Sequence, residues 1–267
     1  VHMKMQFSDV DHGKAFDWGE TSAEYAQYRD IYPPVFYKRA FLDAGIGAAG
    51  QTCLDLGTGT GVLPRAMASH GAKWYGADIT EQQIVFARAL SEKQGLSIEF
   101  SVAPAEDTGF SDGMFDVVTA CQCFGYFDKS RALPEICRIL KPHGHFLILY
   151  MAWLPQESEI ARKSEALVLQ FNPAWSGGGF RRKTETPPTW AKPYFDCVRC
   201  ESFAAAVPFT RETWDGRMYA CRGIGAASLP EAKKAEFRKA HREMLQAFPA
   251  SFSVPHWISI LDFVKKA

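Results

Sequence analysis

Between Gly50 and Met151, short runs rich in apolar and β-branched residues alternate with helix-like stretches. TCLDL is followed by LPRAMASH, KWYGAD by EQQIVFARALSEKQ, IEFSV stands before FDVVTA, and RALPEICRIL then leads into HFLILYM. No other feature narrows the fold so far. Successive strands joined by helices pair in parallel through right-handed crossovers, which covers both faces of the sheet. The expected class is α/β: a seven-stranded, mostly parallel, doubly wound sheet with an antiparallel edge strand and a helical cap.

The flanks complete that picture. In TSAEYAQYRDIYPP, Thr21 and Glu24 have capping-box spacing and Pro33 and Pro34 mark a helix end, with a second helix expected from about Pro34 to Asp43. Residues 172–193, NPAWSGGGFRRKTETPPTWAKP, read as a loop. Beyond them FDCVRCESFAAAVPF reads as a strand, RETWDGRMYACR and PEAKKAEFRKAHREMLQAF as helices, and SVPHWISILDFV as a last strand. The expected organisation is one domain: a helical N-terminal segment over 1–45, a ligand-binding core over 50–153, a cap with the sixth strand over 154–250 and a closing strand over 251–267.

Composition sets the limits. Thirty basic and thirty acidic side chains cancel, so the charge balance selects neither nucleic acid nor an anionic membrane as partner, and a small molecule is expected with a monomeric or homodimeric protein. Seven cysteines, mostly inside apolar runs, point to a reducing, cytoplasmic setting. The longest apolar run, FLILYMAWL, is nine residues against the ~20 that span a bilayer. VHMKMQFSDVDHG lacks a signal-peptide core, and its VHM start reads as an expression remnant.

LDLGTGTGVLP sets Gly57, Thr58, Gly59 and Gly61 between the first strand and a helix, where a doubly wound sheet binds its ligands. Glycines there let a bulky ligand approach the backbone and meet the helix's free N–H groups. A dinucleotide fingerprint would need its third glycine at position 62, which is Val62. Asp55, just inside the strand, is poorly placed beside a pyrophosphate and well placed to accept from an ammonium.

The loop resembles motif I of the class I S-adenosylmethionine-dependent methyltransferases. The resemblance continues through GADIT, APAED, FDVVTACQC and LPEICRILKPHGHFLILY, covering roughly residues 20 to 155 in order. It implies a Rossmann-like fold, S-adenosyl-L-methionine as cofactor with S-adenosyl-L-homocysteine as product, and direct displacement of the methyl group onto a small-molecule acceptor. The competing readings are an NAD(P)-dependent oxidoreductase and a non-catalytic adenosyl-binding regulator.

Matched motif by motif, the resemblance implies that Asp78 accepts from the ribose hydroxyls, that Ile79 and Gln83 pack the adenine, and that Ala105 offers it a backbone N–H. Pro104 stands where many relatives have an acid, which leaves Glu106 as an adenine or substrate contact. Tyr25, Tyr28 and Tyr32 are spaced to share one helix face. In a lid of the kind small-molecule members carry, Tyr28 and Arg29 would meet the cofactor, Arg29 through its methionyl carboxylate, and Tyr25 the acceptor.

Strand four ends in TACQCFGYFD, where Cys121 and Gln122 fall on the cofactor side and Phe124 and Tyr126 become acceptor walls, joined by Trp153, Trp175 and Arg181. Gly177, Gly178 and Gly179 beside aromatics suggest a flexible lid. No metal is expected: Cys121-x-Cys123 and Cys197-x-x-Cys200 fall in strand-like runs, where alternation sends the members of a C-x-x-C to opposite faces. Thiols holding a soft metalloid as acceptor are an idea resting on proximity alone. His143 and His145 read as structural, His241 as a surface histidine, and His12 and His256 as weaker base candidates still. No catalytic residue is assigned.

Overall fold

The computed structural model describes residues 4–29 and 31–266; the VHM start, Asp30 and Ala267 lie outside the described residues. Asp17 Oδ1 accepts from Gly19 N at 2.7 Å, opening a 3-10 turn over Trp18–Thr21 that runs directly into α1 (Ser22–Tyr28). The capping box expected at Thr21 and Glu24 therefore does not form, and the Thr21 hydroxyl donates back to the Trp18 carbonyl, 3.3 Å away. α1 stops at Tyr28, ahead of the prolines, so Tyr32 falls off the face it was expected to share. α2 (Pro34–Ala40) starts on a proline, whose missing N–H costs nothing at that position.

Two compact units make up the chain. The unit containing residues 33–151, 184–203 and 258–267 holds the alternating core. Its elements are β1 (Thr52–Leu56), α3 (Val62–Met67), β2 (Lys73–Asp78), α4 (Glu81–Lys93), β3 (Glu99–Val102), β4 (Phe115–Cys121), α5 (Lys129–Ile139) and most of β5 (Leu140–Trp153). β1 pairs with β2 and β4, β2 with β3, and β4 with β5, all in parallel. With β6 (Phe195–Thr210) and β7 (Ser251–Lys265) the seven-stranded sheet runs β3-β2-β1-β4-β5-β7-β6, closed by antiparallel strands. A strand thus stands between the fifth and sixth, unlike the 3-2-1-4-5-6 order of dinucleotide-binding folds.

β5 starts five residues before the run HFLILYM predicts. Leu140 pairs with Phe115 and the register then jumps to His145 opposite Val117, so the intervening residues bulge out with His143 at φ +60°. His145 Nδ1 lies 2.8 Å from the buried Asp262 Oδ1, in keeping with a structural role. Leu54, Leu56, Val118 and Phe146 meet Leu133, Ile136 and Ile139 of α5 in one buried cluster. Each such side chain contributes about 1.5–3 kcal/mol by leaving water, which fixes the strand ends that carry the glycine loop.

The other unit takes residues 1–32, 152–183 and 204–257. It contains α6 (Glu159–Phe171), to which the sequence reading gave no element, capped by Ser158 Oγ accepting from Ala161 N at 3.3 Å. α7 (Arg211–Tyr219) begins with a reciprocal capping box between Thr210 and Thr213, and α8 (Glu231–Leu245) follows. A Cβ at Gly216 would stand 2.2 Å from Tyr28 Cδ2, so the glycine lets α1 lie close on α7.

His241 corrects the sequence reading. It is fully buried, with Nδ1 2.8 Å from Asp215 Oδ1 and Nε2 3.0 Å from Ser164 Oγ, and that hydroxyl also accepts from Trp214 Nε1 at 2.9 Å. One polar node thus joins α6, α7 and α8. Burial alone would raise the Asp215 carboxyl, but hydrogen bonds from His241 and Arg242 hold it below its usual range. Among the described residues no helix is long and apolar enough to cross a membrane.

Candidate active site at the glycine loop

β1 delivers Asp55 into the middle of the sheet, opposite Gly76 of β2 and Thr119 of β4. The Thr119 hydroxyl donates to Asp55 Oδ1 at 2.6 Å. The chain then leaves the strand through Gly57 and Gly61, both at positive φ. A Cβ at Gly57 would stand 2.6 Å from Cys123 Sγ, and one at Gly61 would stand 2.8 Å from the Phe100 ring, so both positions need glycine for space as well as for conformation. Thr58 N donates to Ala77 O at 3.0 Å and Gly61 N to Thr58 O at 2.9 Å, which folds the loop over the end of β2.

Asp78 ends β2 directly beneath that loop. Its Oδ2 accepts from Gly59 N at 2.9 Å and its Oδ1 from Thr80 N at 2.8 Å. Burial raises its pKa. Burial also pushes the Asp55 carboxyl up to about 7, and the charge on Asp78 adds to the rise against the hydrogen bond from Thr119. Two carboxylates within electrostatic reach of each other therefore share the loop. Asp55 favours a cationic group and is poorly placed beside a pyrophosphate, whereas an acid in the place of Asp78 serves the adenosine ribose of either cofactor class.

At the exit of β4 the backbone turns sharply. Gln122 adopts φ +68°, its N donates to Leu149 O at 2.9 Å, and its side-chain amide donates to Met151 O at 2.6 Å. Cys123 Sγ donates to Leu56 O at 3.0 Å. Burial, then the charges of Asp55, Cys121 and Asp78, push the Cys123 thiol well up, which keeps it a neutral packing group. Phe124 is buried between Phe146 and Trp190, part of the core cluster. Tyr126 closes the short 3-10 turn that follows. Across the sheet's end, Ile79 lies beside Asp78, Gln83 is buried in the first turn of α4, Ala105 is buried, and Glu106 Oε1 accepts from Asp128 N at 2.7 Å.

Residues 54–148 match the family described as Methyltransferase domain. They form a class I methyltransferase domain. The chain is 31% identical over 145 residues to the ubiquinone biosynthesis O-methyltransferase of Paraburkholderia xenovorans, covering 54% of this chain and 60% of that protein. It is 36% identical over 116 residues to the demethylmenaquinone methyltransferase of Thermus thermophilus, covering 42% of this chain and 53% of that one. The matches thus span less than two thirds of either relative. Among solved structures, one described under the conversion of a disulfide bond into a thioacetal group during echinomycin biosynthesis shares the fold, with a TM-score of 0.54 at 17% identity over 92% of this chain and 93% of that one. Proteins of this family use S-adenosylmethionine as methyl donor.

The methyltransferase domain gathers Asp55, Gly57, Thr58, Gly59, Gly61, Asp78, Cys121 and Gln122 at one end of β1, β2 and β4. Ile79, Gln83, Ala105, Glu106, Phe124 and Tyr126 lie in the same unit, and six further expected contacts, Tyr25, Tyr28, Arg29, Trp153, Trp175 and Arg181, belong to the other. There Arg29 Nη2 donates to Tyr25 Oη at 3.2 Å, and its guanidinium lies 4.5 Å from the Tyr25 ring centre. Tyr28 is spent against Gly216. Trp153 is buried with Nε1 donating to Glu165 Oε1 at 2.6 Å, and Glu165 Oε2 accepts from Gly179 N at 2.8 Å. Trp175 is buried against Gly177 and Gly223, while Arg181 is exposed.

Sequence reading missed Thr119, whose hydroxyl fixes the orientation of Asp55, and the packing of Cys123 on Gly57. The signal for Thr119 was a polar residue inside the otherwise apolar FDVVTAC strand.

Proposed function

We propose that the protein is a methyltransferase that binds S-adenosylmethionine at the glycine loop and methylates a small-molecule acceptor. The observation carrying this reading is Asp55, a buried carboxylate at the loop that suits a ligand with an ammonium and is poorly placed beside a pyrophosphate, while Asp78 suits an adenosine ribose in either cofactor class. The donor supplies a methyl group already activated on sulfur, which passes to the acceptor by direct displacement, so the protein has chiefly to align, hold and exclude water.

In this reading Asp55, oriented by Thr119, accepts from the ligand's ammonium. Asp78 takes the ribose hydroxyls with lone pairs left over from Gly59 and Thr80. Ile79, Gln83 and Ala105 frame the adenine, and Gln122, locked by Met151, sets the wall beside Cys121. Oxygen is the first acceptor atom to test, after the activity named for the Paraburkholderia relative. The test is turnover to S-adenosylhomocysteine against a panel of phenols, carboxylic acids, amines and thiols. Product with any acceptor supports an enzyme; donor binding without turnover on any of them supports a regulator.

A further inference from the structure

Arg217 of α7 is 5% exposed, and its Nε and Nη1 are buried without a hydrogen-bond partner. Its guanidinium lies 4.8 Å from the ring centre of the buried Trp153. Among the described residues no carboxylate pairs with it. A buried, unpaired cation is costly to keep, and natural cores replace such a charge with an apolar side chain unless something binds it.

The surroundings deepen the anomaly. Burial and the charge of Arg29 hold Arg217 down to about 9, so it stays cationic at neutral pH beside a second cation. Its other leading electrostatic neighbours are Cys221, whose thiol burial pushes up, Tyr25 and Tyr32. His256 stands within electrostatic reach of both arginines. Its Nδ1–H donates to Val254 O at 2.9 Å, which leaves Nε2 as an acceptor, fully buried and unpartnered. Two guanidiniums, an aromatic face and an orphaned acceptor thus gather within a single unit.

We infer that Arg217 and Arg29 form a subsite for an organic carboxylate. Arg217 Nε and Nη1 lie on different edges of the guanidinium, and each leaves a charged donor for a carboxylate oxygen; Trp153 offers its ring to the apolar body of the ligand, and His256 Nε2 receives a ligand hydroxyl. Naming the carboxylate's owner rests on the methyltransferase reading: it belongs to the methyl acceptor. The subsite itself stands without that reading.

The test compares wild type, R217M and R217K by calorimetry with benzoate, benzamide, S-adenosylhomocysteine and 5′-methylthioadenosine, together with thermal melting of the ligand-free proteins. R217M is expected to melt no lower than wild type, because it removes an unpaired charge. Because the carboxylate is the acceptor's, R217M loses benzoate at least tenfold while S-adenosylhomocysteine is unchanged, benzamide binds weakly throughout, and R217K recovers part of the loss. R217M that keeps benzoate and 5′-methylthioadenosine but loses S-adenosylhomocysteine at least tenfold would overturn the proposal, since Arg217 would then serve the donor's methionyl carboxylate. R217M melting several degrees lower would make Arg217 a structural prop and overturn the proposal, as would loss of affinity for neither carboxylate. A failed donor reading shows separately, as wild type that binds neither adenosine ligand.

Discussion

Asp78 Oδ2 accepts from Gly59 N at 2.9 Å, so the acid that ends β2 and the glycine loop that follows β1 are one mechanical object. Removing the acid should therefore cost more than a ribose contact. Asp78→Ala is expected to weaken S-adenosylmethionine binding by about 1–3 kcal/mol, with Asp78→Asn intermediate because it keeps an acceptor for Gly59. Calorimetry decides: unchanged affinity in Asp78→Ala would put the adenosine elsewhere.

Gly57 is held by sterics from two sides, a φ of +63° and the Cys123 side chain. Gly57→Ala should destabilise the fold by about 2–4 kcal/mol, combining left-handed strain with overpacking. In a Cys123→Ala background the same substitution should cost less, since the clashing sulfur is gone. Equal losses in both backgrounds, measured by urea unfolding, would mean that Cys123 does not press on the loop.

Asp55 makes binding proton-linked. Its folded pKa of about 7 lies above that of an unfolded aspartate, so between about pH 4 and 7 the folded state holds the extra proton and this group's contribution to stability falls as pH rises. An ammonium placed beside it favours the carboxylate and lowers that pKa. S-adenosylmethionine binding near pH 6.5 should therefore release protons, and affinity should rise with pH up to about 7. Asp55→Asn should abolish the proton release and stabilise the free protein at pH 8 by on the order of 2 kcal/mol. Titrations in buffers of different ionisation enthalpy read the effect directly; proton uptake would contradict it.

His241 joins three helices through Asp215 and Ser164. His241→Ala should destabilise by about 2–4 kcal/mol, because it opens a cavity and removes the partner of the buried Asp215 Oδ1, leaving Arg242 on Oδ2. A solvent-facing histidine would cost under about 0.5 kcal/mol, so thermal or urea unfolding separates the two.

What the sequence made legible was local. TCLDL and KWYGAD became strands residue for residue, and the spacing that put Val62 where a dinucleotide fingerprint needs glycine agrees with the buried carboxylate of Asp55 at the loop. What it hid was tertiary. α6 lay in a stretch given no element although Ser158 offered a cap, and the bulge at His143 let β5 start at Leu140. α8 has so many charged residues that His241 looked like one more surface group, while Arg217 in a polar heptad gave no hint of its burial. Burial of a polar residue is decided by what packs on it from elsewhere in the chain, and periodicity does not carry that information.

The most direct test of the donor site is a pair of titrations of the wild-type protein at pH 7, one with S-adenosylmethionine and one with NAD. Saturable S-adenosylmethionine binding with no NAD binding is the expected result. NAD binding with no response to S-adenosylmethionine would contradict it, because the loop beside Asp55 would then be accepting a pyrophosphate.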